Sequence, residues 1–257
     1  MKQLLSFVIR AEKGFLKKPD INDGIYLTYN MLHKPAILGI LGAIIGLGGY
    51  EQNCVFPEYY KKLKDILIGV KPIGDENGSF QKTIITYNNT TGFASGEGGG
   101  NLIITEQTLI KPSYKIYILL DLENSDQRQL YENIKNQRAE YLPYLGKNDY
   151  SLWWNKDEVE EYECESFKKK SNFTISTIFK KNKPIIKYVV KAIGRKSLKE
   201  QNNFYYFEQI PISFNEKLFQ YNMIDFAYSN ATLIDAIDID CDNLFILKDK
   251  NEVIFIY

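Results

Sequence analysis

The stretch from His33 to Tyr50, HKPAILGILGAIIGLGGY, is the most apolar in the chain. Its apolar part, Pro35 to Leu47, is 13 residues long, short of the roughly 18–20 that cross a bilayer as a helix. It also lacks the aromatic belt that anchors a span at the membrane surface. The segment is therefore read as a buried helix. Pro35 suits the first turn, where a missing N–H costs nothing, and Gly48-Gly49 suits the stop. Ile37, Leu38, Ile40, Leu41, Ile44 and Ile45 cover most of the circumference, so the helix is buried on most sides. Gly39, Gly42 and Gly46 fall at i, i+3 and i+7 and share one face. Each glycine costs a helix about 1 kcal/mol relative to alanine, so this face is expected to lie very close to a neighbour. The neighbour is a β-sheet or a partner helix. A G-x-x-G clamp on a nucleic-acid backbone is the other reading; against it, Gly39 to Gly42 sit within the helix and not in a loop.

Working outward, KQLLSFVIR (Lys2 to Arg10) reads as a strand with Leu5, Phe7 and Ile9 on one face. A loop bearing glycine and proline separates it from the helix, the start of a βα unit. KDILIGVKPIG (Lys64 to Gly74) reads as a second strand, and SFQKTIITYNNTTGF as a hairpin arm. ASGEGGGN (Ala94 to Asn101) is a glycine turn, followed by LIITEQTLIKP and a strong strand at Ser113 to Asp121. SDQRQLYENIKNQRAEYL reads as a helix capped by Ser125, with Leu130, Ile134 and Tyr141 near one face. PYLGKNDYSLWW is a turn leading into a further strand that runs on toward EVEEYEC. The order β-α-β-β-α-β predicts an α+β fold with a ferredoxin-like core. The pattern changes near residue 165, which divides the chain into regions 1–165 and 166–257. In the second, Lys183 to Lys199 reads either as a basic amphipathic helix or, through IIKYVV, as a strand. FYYFEQIPISF and LFILKDKNEVIFIY read as strands, the latter a hairpin, so this smaller region is mainly β.

The chain has 257 residues, 44% of them hydrophobic and 25% charged, which is ordinary for a globular protein with a sizeable core. Its formal net charge is zero, so no bulk field steers it to nucleic acid or membrane. The charge is segregated, however. Eleven Lys or Arg and no acid lie between Lys168 and Lys199, enough to build a basic surface on a neutral protein. Cys54, Cys164 and Cys241 are far apart and form no C-x-x-C pair, so neither a disulfide framework nor a zinc site is expected. MKQLLSFVIRAEKGF is read as a strand and not a signal peptide. A reducing cytoplasm is the expected compartment. Asp235, Asp238, Asp240 and Asp242 are spaced like an acidic loop and lack the glycine and terminal Glu of a calcium loop. ASGEGGGN lacks the Gly-Lys-Ser/Thr of a P-loop. No metal and no cofactor is expected.

A strand ending in basic residues, a loop and then TYNMLHKPAILGILGAIIGLGGY resembles the Cas-five family of CRISPR-associated RAMP proteins. The matching residues are Thr28-Tyr29, Pro35, Leu38-Gly39, Leu41-Gly42-Ala43 and Gly46-Leu47. NLIITEQTLIKPSYKIYILL is similar to the block that leads into a later family strand, and YLPYLGKNDY to the family's Y-L-G-K-S-E turn. FEQIPISF, with Pro211, is similar to a late family element. The first three blocks cover most of residues 1–150; the final hundred residues match weakly. The resemblance implies a ferredoxin-like RAMP core with a β-hairpin thumb. It also implies a subunit of a type I surveillance complex (Cascade), closest to type I-B, that holds the 5′ handle of the crRNA in antiviral defence. Its implied partners are the crRNA, the backbone Cas-seven subunit and the large subunit, with target DNA also in reach of the basic segment and no membrane.

Metal-independent RNA cleavage needs a base for the 2′-OH and a charge for the phosphorane. The chain offers one His, His33, beside Lys34 and near Tyr29. A single unpaired His is a weak catalytic signal, and a loop His that caps the helix or contacts phosphate is the plainer reading. No catalysis is expected; the alternative is a type I-C-like endoribonuclease processing precursor crRNA. Position within the family-like blocks nominates Tyr29, His33, Lys34, Lys82, Asn101, Lys111, Tyr114, Lys147 and Asn148 for RNA binding. Lys and Asn would hold phosphates, and Tyr would stack on a splayed base.

Overall fold

A computed structural model describes residues 1–19, 24–53, 55–75, 77–89, 102–168, 173–181, 203–233 and 243–257. Along the first half run β1 (Lys2–Ala11), β2 (Lys13–Gly14), β3 (Ile25–Tyr26), α1 (Lys34–Ile45), α2 (Glu58–Leu63) and β4 (Leu67–Pro72). Next come β5 (Lys82–Asn89), β6 (Leu102–Ile110), β7 (Ser113–Asp121), α3 (Ser125–Lys135), β8 (Leu152–Trp154) and β9 (Glu160–Tyr162). The remainder holds β10 (Cys164–Ser166), β11 (Phe179–Lys180), β12 (Tyr205–Asn215), β13 (Gln220–Ser229), β14 (Leu244–Leu247) and β15 (Glu252–Phe255).

The central sheet has the order β4-β7-β1-β8, with β9 continuing along β1 beyond β8. Every neighbouring pair in it is antiparallel. With α1 between β1 and β4, and α3 between β7 and β8, this is the β-α-β-β-α-β ferredoxin-like arrangement. The last strand is split in two because the Asn155 side chain accepts from Asp157 N (3.0 Å) and holds a 3₁₀ turn at Lys156–Glu158. β5 and β6 form an antiparallel hairpin between β4 and β7, with Lys82 opposite Leu109 and Thr86 opposite Thr105. β2 and β3 pair with β6 at its other edge.

β1 is buried on both faces. Leu5, Phe7 and Ile9 join the cluster that holds Ile37, Leu38, Leu41 and Ile44 of α1. Leu4 on the opposite face packs with Tyr117, Tyr162, Leu247, Ile254 and Ile256. The β10-β14-β15 sheet therefore supplies a second layer, and the β14–β15 hairpin is the one LFILKDKNEVIFIY predicts. The chain after β15 runs so close to β4 that a Cβ on Gly69 would lie 2.9 Å from Phe255 O. Ile68 and Tyr257 exchange both main-chain hydrogen bonds at 3.0 Å. The hydrophobic cluster around α1 takes members from both sides of residue 165, among them Ile210, Phe226 and Tyr257. β12 and β13 form a long hairpin with an irregularity between Pro211 and Ser213, where proline cannot donate to a ladder. Ala94 to Asn101, Lys183 to Lys199 and Asp235 to Asp242 lie outside the described residues.

Helix α1 follows the sequence closely. His33 is its N-cap and Gly46, at φ +76, ends it in the left-handed conformation that glycine adopts at least cost. The glycine face, however, does not pack on the sheet of the core. It faces α2: a Cβ on Gly42 would sit 2.4 Å from Tyr59 Cβ, and one on Gly39 would lie 3.8 Å from the Tyr59 ring. The apolar remainder of α1 faces the sheet, because that is where its largest side chains find cover. Two further differences concern α3. Its cap is Asn124, whose side chain accepts from Gln127 N at 3.1 Å, one residue before the expected Ser125. It ends at Lys135, and Gln137 at φ +53 turns the chain, so Tyr141 lies beyond the helix and is exposed.

Gly42→Leu is expected to overpack the α1–α2 contact and lower stability by about 1–3 kcal/mol or more. A thermal or urea melt checks this; an unchanged midpoint would mean that the face is open.

Candidate functional site

Burial decides which nominated residues can meet a ligand. Tyr29 and Tyr114, only 2% and 0% exposed, are core residues. The Tyr114 hydroxyl donates to Asn30 O, and the Tyr29 hydroxyl lies 3.8 Å from Met223 Sδ. Neither ring has a free face, which corrects their assignment as base-stacking residues. Lys34 is also buried, and its Nζ donates to the main-chain oxygen of Tyr257 at 3.1 Å. Burial pulls its pKa down to about 8, with Lys180 adding to the effect and Asp65 opposing it. Its work is to tie the start of α1 to the last residues, not to hold phosphate.

Lys147 is likewise occupied. Its Nζ lies 2.9 and 3.1 Å from the oxygens of the buried Glu106 carboxylate and 3.0 Å from the Tyr87 hydroxyl. Tyr150 and Tyr87 also donate to Glu106, at 3.1 and 3.2 Å. This cluster joins the β5–β6 hairpin to the YLGK turn. A buried charge without partners costs several kcal/mol, so the pairing fixes where the hairpin stands. Lys82 and Lys111 are exposed; Lys82 Nζ reaches Asn30 Oδ1 at 3.3 Å, and Lys111 sits at φ +46 in the turn between β6 and β7. Asn148 is exposed in its turn, and Asn101 lies outside the described residues.

His33 is 4% exposed, and its Nδ1 accepts the Ala36 N–H at 3.3 Å. Burial lowers its pKa to about 3, so the ring is neutral at pH 7. With Nδ1 accepting, the single ring proton belongs on Nε2. His33 opens a groove of about 660 Å³ that runs along α1. Pro35, Ala36, Gly39 and Ala43 form its small-residue floor. Tyr59, Phe214 and Tyr221 line its walls, and Tyr50, Tyr141 and Tyr144 stand exposed at its rim. Burial pushes the pKa of the Tyr59 hydroxyl well up, and the neighbouring Tyr50 adds to the effect. The charged groups in the lining are Lys17 and Lys147; among the described residues no carboxylate lines it. With Lys147 held by Glu106, such a surface offers flat rings, neutral hydrogen-bond donors and the exposed cation of Lys17.

Two structural residues had no signal in the sequence. Asn30 donates to Gly78 O (2.6 Å) and accepts from Phe80 N (2.9 Å). Glu208 on β12 accepts the main-chain N–H groups of Asn30 and Met31 at 3.1 and 2.8 Å. Together they set the loop that delivers His33. The rim tyrosines were missed because they come from separate segments with no common period. Among the described residues, no group of His, Cys, Asp and Glu could hold a metal ion, and no helix is long and apolar enough to cross a membrane.

No family model and no curated protein sequence matches the chain. Among solved structures it is similar to a CRISPR RNA-guided surveillance complex protein, at 12% identity and TM-score 0.47 over 88% of this chain and 90% of that one. It is also similar to a CRISPR protein from Archaeoglobus fulgidus, at 10% identity and TM-score 0.46 over 100% and 98%. A third is a chain of the type III-B Cmr-beta complex bound to cognate target RNA and AMPPnP, at 9% identity and TM-score 0.47 over 98% and 99%.

Lys147→Met should leave the Glu106 charge buried without its cation and destabilise the fold by about 3–5 kcal/mol, read as a lower urea midpoint. The His33 ring gives a pH signature. Its folded pKa near 3 lies below the unfolded value of about 6.5, so the unfolded chain binds the extra proton between them. Stability from this group is complete above about pH 6.5 and is lost as pH falls toward 3. His33→Asn keeps a capping acceptor but does not titrate, so its urea midpoint should vary less with pH over that window than that of the wild type.

Proposed function

We propose that this chain is a subunit of a type I CRISPR surveillance complex that holds the 5′ handle of the crRNA and caps the backbone filament. In this reading it adjoins the Cas-seven subunit and the large subunit and serves antiviral defence. One observation carries it. Two of the family-like blocks, TYNMLHKPAILGILGAIIGLGGY and YLPYLGKNDY, are about a hundred residues apart in sequence, yet both line the same groove, which has no carboxylate among its described lining residues. The third block, through Glu106, holds the second in place. Flat rings and lysines suit single-stranded RNA, whose bases are splayed and stacked and whose phosphates need cations.

The endoribonuclease alternative finds less support. A general base works best with a pKa near the operating pH, whereas His33 stays neutral down to about pH 3 and its Nδ1 is engaged in the helix cap. Tyr29 packs its ring edge-on against His33 but points its hydroxyl toward Met223 Sδ, and Lys34 is buried with its Nζ on Tyr257 O.

Reconstitution with the proteins encoded beside it tests the proposal. The chain should crosslink to the first nucleotides of the crRNA, and Lys17→Ala with Lys111→Ala, both at exposed positions, should expose that end to nuclease without loss of fold. The isolated protein should leave labelled repeat RNA intact. Crosslinks confined to the 3′ hairpin, or site-specific cleavage that His33→Ala abolishes, would overturn this reading.

A further inference from the structure

The groove along α1 has features that general affinity for RNA does not require. Half-buried Gly39 and Ala43 are in its lining beside the Tyr59 ring, so a planar group can come close to the helix there. Its volume of about 660 Å³ falls within the about 300–1,000 Å³ of small-molecule sites, a capacity that suits a base with its sugar. Three exposed phenol rings, Tyr50, Tyr141 and Tyr144, stand at its rim. At its head His33 is fixed in one orientation by the cap to Ala36 N, with its remaining proton on Nε2. Lys17 at the margin is exposed, and its Nζ lies 3.9 Å from the centre of the Tyr26 ring.

We infer that this groove takes one unpaired nucleobase, laid beside the Tyr59 ring against Ala36, Gly39 and Ala43 of α1 and between rim tyrosines, with the His33 Nε2–H donating to an acceptor atom on the base and Lys17 meeting the adjoining phosphate. The inference rests on the RNA-holding reading above and deepens it: it names the recognised unit as a single flipped-out base. A base is favoured over an apolar peptide segment because, with Lys147 held by Glu106, the exposed Lys17 remains at the margin and no carboxylate lines the groove among the described residues, a charge pattern that complements a phosphate. The donors at the head are uncharged, so they distinguish a base edge with an acceptor from one without. His33 is a specificity residue here, since a buried neutral imidazole supplies a hydrogen bond without supplying charge.

The test uses the full-length chain and a short single-stranded RNA bearing one 2-aminopurine, whose fluorescence is quenched on stacking. At low ionic strength the wild type should quench the probe, and the same sequence as a duplex should not compete. Tyr144→Ala and Tyr50→Ala, at exposed positions, should keep the wild-type melting temperature and weaken binding about 10-fold each. His33→Asn retains the capping acceptor; it should fold and lose discrimination between bases with and without an acceptor at the contacted edge. If the tyrosine variants bind as tightly as the wild type while Lys111→Ala weakens binding, the groove assignment is wrong and the RNA-holding reading survives. If the wild type binds the single strand no better than the duplex, the groove assignment fails, and absence of RNA crosslinks in the reconstituted complex would then remove the broader reading as well. Quenching that depends on an apolar peptide competitor and not on free nucleotide would assign the groove to a protein partner and overturn the inference.

Discussion

Helix α1 has to be buried almost completely, and the rest of the structure follows from how that is done. From Pro35 to Leu47 it contains no polar side chain, so water can touch little of it without cost. Each fully buried Ile or Leu contributes about 1.5–3 kcal/mol, which makes the sheet-facing side the dominant attachment. The side with glycines cannot contribute in this way, because it has no side chains to bury. It gains instead by letting Tyr59 of α2 approach to contact distance over Gly42. Past α2, the same small-residue surface is left as the floor of a groove. The groove is thus a consequence of packing a glycine face against a helix only six residues long.

Several polar groups inside the molecule are held by partners that span the sequence. Glu106 binds Lys147, Tyr87 and Tyr150; Glu208 binds the main chain at Asn30 and Met31; Asn30 binds Gly78 and Phe80; Lys34 binds the carbonyl of Tyr257. Each buried group would be costly alone. Joined in this way, they fix the hairpin, the loop before α1 and the last strand against one another. Lys147, which a sequence reading assigns to RNA, is drawn into this scaffold because the buried Glu106 carboxylate would be costly without a cation beside it.

The residues left at the surface once the interior is satisfied include exposed Tyr50, Tyr141 and Tyr144, and Lys17, Lys82, Lys111 and Asn148. In the proposed RNA-holding role, recognition by such a set would be local, which suits a chain of zero net charge. Few phosphate contacts would then mean a shallow dependence on salt, since each neutralised phosphate on a single strand adds only about −0.7 to the slope.

The amino-acid sequence by itself determined the elements with strong periodicity or punctuation. Pro35 and the following glycines delimit α1 to within about two residues, and the strands at Lys2–Ala11, Ser113–Asp121 and Leu244–Leu247 with Glu252–Phe255 are legible as apolar runs. Their order was enough for the ferredoxin-like core, because a β-α-β-β-α-β chain has few ways to cover both helices. Tertiary structure alone decided the neighbours. It turned the glycine face toward Tyr59 and away from the sheet, buried Tyr29 and Tyr114, paired Lys147 with Glu106, and gathered rim tyrosines from residues 50, 141 and 144. A periodicity records which side of an element avoids water. It carries no record of which distant segment will supply the cover, because that choice is made by shape and by the pairing of buried charges across the chain.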